Sequence, residues 1–151
     1  MYGYLTLIGR LLLAALFTGS ALGMIANPVG TQYFMALFGM SFVGFFMWAT
    51  VAVLLTSAVC LILGWQTRWA ALALAIWLIP VTLIFHTNWA DPIQFHTFME
   101  NIGLMGALIL ISGVGPGAFS LDERRKRVGA TRTEADATSK AIAVPQPQSI
   151  S

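Results

Sequence analysis

Residues 42–63 read FVGFFMWATVAVLLTSAVCLIL, 22 residues without an Asp, Glu, Lys, Arg or His. As an α-helix this stretch measures about 33 Å at 1.5 Å per residue, and the hydrocarbon core of a bilayer is about 30 Å thick. A helix apolar on every side belongs either in the core of a large protein or in lipid. A chain of 151 residues has no core of that size. The whole composition agrees: 58% of the residues are hydrophobic and 9% charged, against about 25% charged in soluble domains. Mean hydropathy is +0.79.

Three more apolar stretches flank the first. Residues 5–25 are broken only by Arg10, and residues 69–85 contain Pro80, which removes a backbone donor and should kink a helix. The last uninterrupted run, 102–114, is too short to cross alone. Its helix must start upstream of Glu100 and Asn101, at about residue 98, so those two side chains fall at the edge of the apolar layer, where polar groups turn to the bundle interior. Residues 26–41, with Asn27-Pro28 and Gly30, read as a turn-rich link. The expected fold is therefore all-α, an integral membrane four-helix bundle over residues 1–121 with helices at about 5–25, 42–63, 69–85 and 98–114. Ala15, Gly19 and Gly23 in the first helix, and Gly103 and Ala107 in the fourth, are expected at helix contacts, because helices in lipid associate through close backbone approach. Residues 122–151 begin Asp-Glu-Arg-Arg-Lys-Arg and continue in Ala, Thr, Ser, Pro and Gln, a composition expected to stay unfolded as a cytoplasmic tail. Arg10 with the apolar and small residues after it resembles a secretory signal peptide, but the apolar stretch begins before Arg10, which favours a first span.

Lys and Arg set the orientation, since short cytoplasmic loops are enriched in both. Arg68 lies in the second link and Arg124, Arg125, Lys126 and Arg127 follow the fourth helix, whereas the first and third links have neither. Both termini are expected in the cytoplasm, with Trp65 and Trp69 at the inner interface and Trp48 and Trp89 at the outer one. Arg10 is expected to snorkel to the inner interface, or to pair within the bundle with an anionic group such as Asp122. Nucleic acid is excluded as a partner, because the charges form no phosphate-tracking surface. The single cysteine, Cys60, excludes an internal disulfide and a multi-cysteine metal site. Nucleotide loops, hydrolase triads and zinc-protease helices are absent from the sequence.

The remaining ionisable residues gather at the third link. His96 and Glu100 are four apart and share a helix face, His86 ends the third span, and Asn88, Asn101 and Thr82 add hydrogen-bonding groups. This constellation suits proton exchange, a hydrogen bond to a quinone carbonyl, or a metal held by His86, His96 and Glu100, a haem between the two histidines included. It equally suits plain capping of helix ends.

Several segments taken in order carry a resemblance: Gly9-Arg10-Leu11-Leu12, Pro28-Val29-Gly30-Thr31, Leu63-Gly64-Trp65-Gln66-Thr67-Arg68, Phe85-His86-Thr87-Asn88-Trp89-Ala90, Phe98-Met99-Glu100-Asn101-Ile102, and Gly115-Pro116-Gly117-Ala118-Phe119-Ser120-Leu121-Asp122. Over residues 5–122 the chain resembles the DoxX family of small bacterial four-helix inner-membrane proteins. That resemblance implies an inner (plasma) membrane location and a tie to redox or thiol-stress assemblies. It also marks Arg10, Arg68 and Asp122 as structural anchors. Two positions depart from it, Met24 and Leu54, where relatives carry a lysine and a glutamate. A third is Glu100, where a lysine commonly stands. The expected function is a quinone-facing or anchoring subunit beside an oxidoreductase partner, with no complete active site of its own. His86, Asn88, His96, Glu100 and Asn101 form its candidate quinone or proton site. The alternatives are a small carrier or channel passing a solute or proton by Arg10 and Pro80, and a non-catalytic scaffold. The expected partners are the bilayer, anionic lipid at the basic run Arg124 to Arg127, and a second copy of the chain.

Overall fold

The computed structural model describes residues 2–142, with side chains over 3–140. Six helices account for the described residues: α1 Tyr2–Ala26, α2 Pro28–Leu37, α3 Val43–Leu63, α4 Thr67–Phe85, α5 Pro92–Val114 and α6 Leu121–Ile142. The fold is all-α, and α1, α3, α4 and α5 are each long and apolar enough to cross a membrane. α1 packs on α3, α3 on α4, and α4 on α5, while α2 lies against α3. Between α1 and α5 an apolar groove of about 650 Å³ stays open, with Gly9 and Leu12 on one wall and Ala107 and Leu110 on the other.

Two helix starts differ from the sequence reading. The link 26–41 contains α2, because Asn27 is an N-cap whose side chain accepts from Gly30 N at 3.0 Å, and Pro28 sits at the first helical position, where its missing N–H costs nothing. α5 begins at Pro92 rather than near 98 for the same reason, with Asp91 Oδ1 accepting from Ile93 N at 2.9 Å. α4 runs through Pro80 to Phe85.

The tail also differs. Residues 121–142 form α6, started by an N-cap in which Ser120 Oγ accepts from Glu123 N at 3.1 Å. From Arg124 to Lys140 every residue of α6 is exposed, so helix propensity and its cap hold it rather than packing. The expected tail beyond residue 142 lies outside the described residues.

The main core is built by Leu13, Ala14, Phe17 and Ala21 of α1 against Val51, Leu54, Ala58 and Leu61 of α3, Leu74 and Leu78 of α4, and Leu108 of α5. Of the small-residue stripes, Ala107 packs against the core as expected, and the others are a correction. Ala15 is exposed, and open space faces Gly19, Gly23 and Gly103. Burial on α1 follows Arg10, Leu13, Ala14, Phe17 and Ala21, and each step of one residue turns 100° from that arc, which carries Ala15, Gly19 and Gly23 outward.

Candidate functional site

Buried polar side chains include Arg10, Thr67 and Ser120 at one end of the bundle and Thr82 and Asn101 toward the other, with Thr50 and Ser57 between. At the end where α3 meets α4, Arg10 is 0% exposed. Its Nε donates to Leu61 O at 2.8 Å and Nη2 to Ile62 O at 3.1 Å, both in the last turn of α3, where carbonyls have no partner within the helix. Nη1 donates to Pro116 O, and Phe119 O lies 3.4 Å from both terminal nitrogens. The snorkelling expectation is thus corrected: the guanidinium turns into protein because these carbonyls converge on it. Asp122 is engaged elsewhere, its Oδ1 and Oδ2 accepting from Gln66 N at 2.9 Å and Thr67 N at 3.1 Å, so that it caps α4 from a distant segment.

Gly64 makes this knot compact. It ends α3 with φ +67°, and a Cβ there would stand 2.5 Å from Ser120 Cβ and 2.9 Å from Arg10 Nη1. Arg68 extends from the start of α4 over Gly115, where a Cβ would come within 3.2 Å of Nη2. Arg10, the Gly64 to Arg68 link and the Gly115 to Asp122 segment, far apart in the sequence, are therefore one assembly.

The opposite end holds two adjoining cavities. The larger, about 300 Å³, is walled by Met24 of α1, Thr31, Phe34 and Met35 of α2, Phe46 and Thr50 of α3, and Trp77, Pro80, Val81, Phe85 and His86 of α4. The smaller, about 140 Å³, lies between α1, α3, α4 and α5. Met24, Thr50, Trp77, Val81 and His86 line it too, joined by Phe17, Leu54, Thr97 and Asn101. α2 roofs the larger one, since Phe34 and Phe38 set their rings 5.6 and 5.2 Å from that of Phe85. Met24 and Leu54 leave the smaller cavity apolar where they face it.

The expected constellation divides between these surroundings. His86 and Asn101 line the smaller cavity. Asn101 is buried, and burial pushes the His86 imidazole below its ordinary range, toward the neutral form. His96 Nε2 and Glu100 Oε1 lie 3.2 Å apart on the exposed side of α5, and Asn88 is exposed in the link. The metal grouping of His86, His96 and Glu100 does not assemble: among the described residues no three His, Cys, Asp or Glu side chains come together as a metal site. The helical period explains the split, because Glu100 and Asn101 are consecutive and point 100° apart.

Trp77 was missed by the sequence reading. Its Nε1 is buried without a hydrogen-bond partner among the described residues, and the indole lines both cavities. The available signal was position, since Trp65 and Trp69, like Trp48 and Trp89, stand at span ends, whereas Trp77 lies in mid-span, where an indole N–H has no headgroup or water to meet.

Among known proteins, the chain is similar to the inner membrane protein YqjF of Escherichia coli K12, 30% identical over 116 residues that cover 77% of this chain and 88% of that protein. It is also similar to the inner membrane protein YphA of the same organism, 27% identical over 125 residues, covering 80% and 89%. The ER-derived vesicles protein ERV29 of Saccharomyces cerevisiae matches at 26% identity over 85 residues, 52% of this chain but 27% of that protein. No solved structure matches the chain. With four spanning helices and these relatives, it is a multi-pass inner-membrane protein. The DoxX resemblance is overturned by the family model that does match, the SURF4 family over residues 3–128. Of the fragments behind that resemblance, Gly9-Arg10, the Gly64 to Arg68 link and the Gly115 to Asp122 segment build the knot at one end of the bundle. The match takes in all four spans and the knot at Arg10, and the chain belongs to the SURF4 family.

Proposed function

We propose that the protein is a membrane-embedded binding protein for a small, mainly apolar molecule carrying one hydrogen-bond acceptor, such as the carbonyl of a quinone head group or of an acyl ester. The observation that carries this reading is the buried, unpartnered Trp77 Nε1 on the wall of both cavities. A buried donor left without an acceptor costs about 1–3 kcal/mol, and such groups in folded proteins are almost always satisfied. A ligand carbonyl would satisfy this one. Apolar walls with a few convergent polar groups are the usual make-up of a small-molecule site, and here the second polar group is His86, kept neutral and able to donate or accept. Asn101 adds an amide in the smaller cavity. Asn88, His96 and Glu100 stand on exposed surface and are left out of the proposed site.

The expected tie to redox assemblies rested on the DoxX resemblance and falls with it. A route for a solute past Arg10 has no support, since that side chain is fully enclosed and engaged by four carbonyls. In the same reading both termini face the cytoplasm, because Arg68 and the basic part of α6 share one end of the molecule while the links at the other end carry no Lys or Arg.

The test is thermal unfolding of the detergent-solubilised protein in the presence of a short-chain benzoquinone and, separately, a fatty-acid methyl ester. One of the two is expected to raise Tm in the wild type. Trp77→Phe keeps an aromatic side chain and removes the donor, so it should need at least about fivefold more ligand for the same shift, the equivalent of one hydrogen bond of about 1 kcal/mol. No shift with either compound, or equal potency in wild type and variant, would refute the proposal.

A further inference from the structure

We infer that the end of the molecule opposite the cavities carries a second site, a pocket for the phosphate of an anionic phospholipid, formed by Arg68, Arg125 and Lys126. These three cations come from two different elements, the start of α4 and the second turn of α6, and line one recess of about 300 Å³. The carboxylate that shares the recess, Asp122, already accepts from Gln66 N and Thr67 N, so it is tied to the α4 N-terminus. Three positive charges against one such carboxylate leave the recess cationic.

The rest of the basic run is directed elsewhere. Arg127 pairs with Glu123, its Nε 3.8 Å from Oε1, and Arg124 lines a different recess beside Phe119 and Ser120. The expectation of anionic lipid along the whole run from Arg124 to Arg127 thus narrows to two of its members plus a residue 57 positions upstream of the first of them. Arg68 is the one with a built position. Its guanidinium lies over Gly115, whose φ of +92° favours glycine and whose missing Cβ leaves the room. A planar guanidinium set in this way offers the fork of donors that suits phosphate oxygens.

Free phosphate and a lipid headgroup share this chemistry, and the surroundings favour the lipid. The recess adjoins the first turn of a spanning helix, and Trp69, 71% exposed, lines it. An indole at the end of a span sits at headgroup depth, so a phosphate held by Arg68 would have its acyl chains beside α4.

The experiment is native mass spectrometry of the full-length protein in detergent, titrated with phosphatidylglycerol, with phosphatidylcholine, and with phosphatidylglycerol in millimolar inorganic phosphate. Phosphatidylglycerol is expected to be retained about thirtyfold more than phosphatidylcholine, because three basic groups less one carboxylate leave two net charges at about 1 kcal/mol each near the membrane surface. Arg125→Gln/Lys126→Gln should bring it down to the phosphatidylcholine level, and Arg68→Gln should lower it in the same direction. Arg127→Gln/Arg132→Gln removes the same charge from the same helix and should leave retention unchanged. Both double variants alter only exposed positions on α6, and their unfolding temperatures verify that the fold is kept. Equal retention of the two lipids overturns the site, as does equal loss in both double variants, which would be a net-charge effect. Displacement of the lipid by inorganic phosphate would make it a free-anion site and overturns the lipid assignment.

Discussion

Arg10 shows how a single charge is accommodated in the apolar layer. Among the described residues no carboxylate is hydrogen-bonded to it, yet its guanidinium fork meets carbonyls of Leu61, Ile62, Pro116 and Phe119, two of them at a helix C-terminus, where a cation is favoured. Arg10→Leu leaves those carbonyls enclosed without a donor and should cost about 3 kcal/mol or more. Arg10→Lys restores the charge but not the fork, and should recover only part of that loss. Thermal unfolding in detergent checks the order wild type, Lys, Leu, and equal stability of Lys and wild type would mean that charge alone matters. His86 offers a pH test. Burial lowers its folded-state pKa below the unfolded value near 6.5, so its contribution is fully present above that value and is lost as pH falls through it toward the lowered one. His86→Gln should therefore narrow its stability gap to the wild type as pH falls from 7.5 to 5, and a gap independent of pH would contradict the half-buried, neutral imidazole.

The elements were legible where hydrophobic length decides and less so where local capping decides. Residues 42–63 specify a span by length alone, and α3 is Val43–Leu63. The starts of α2, α5 and α6 do not follow from apolar length, and each carries a short cap signature: Asn27-Pro28, Asp91-Pro92, and Ser120 with Glu123 three residues on. An Asn-Pro or Asp-Pro pair also reads as a turn, and only the hydrogen bond to the following N–H separates the two. The candidate site was legible in half. His86 and Asn101 do line one cavity, but the direction in which α5 faces is set by packing against α4, which a single sequence does not encode locally. Long-range capping was equally hidden, because Asp122 serves α4 across 55 residues. Its replacement is a clean element-scale test. Asp122→Asn retains at most one of the two hydrogen bonds and removes the charge from the helix N-terminus, so it should destabilise by about 1 kcal/mol, whereas Glu123→Gln, which only loses the exposed pair with Arg127, should stay within about 0.5 kcal/mol.

At the scale of the whole molecule, charge is divided almost completely from apolar mass. Ten of the 14 charged residues lie at or after Asp122, and the four before it, Arg10, Arg68, Asp91 and Glu100, sum to zero. The net charge of +2 therefore belongs to α6 and its approach, all on one side of the proposed bilayer. Orientation is governed by Lys and Arg close to span ends rather than by net charge, and the residues that satisfy that rule here are Arg68, Arg124, Arg125, Lys126 and Arg127, at the end shared by the α3–α4 link and α6. A periplasmically active reporter fused after Ser151 should be silent, and the same reporter inserted in the α4–α5 link at Ala90 should be active. Neutralising the α6 residues alone leaves Arg68 in place, so the orientation should survive Arg124→Gln/Arg125→Gln/Lys126→Gln/Arg127→Gln and weaken only when Arg68→Gln is added. An active reporter after Ser151 in the unaltered chain would reverse the orientation and place the cationic recess on the periplasmic face.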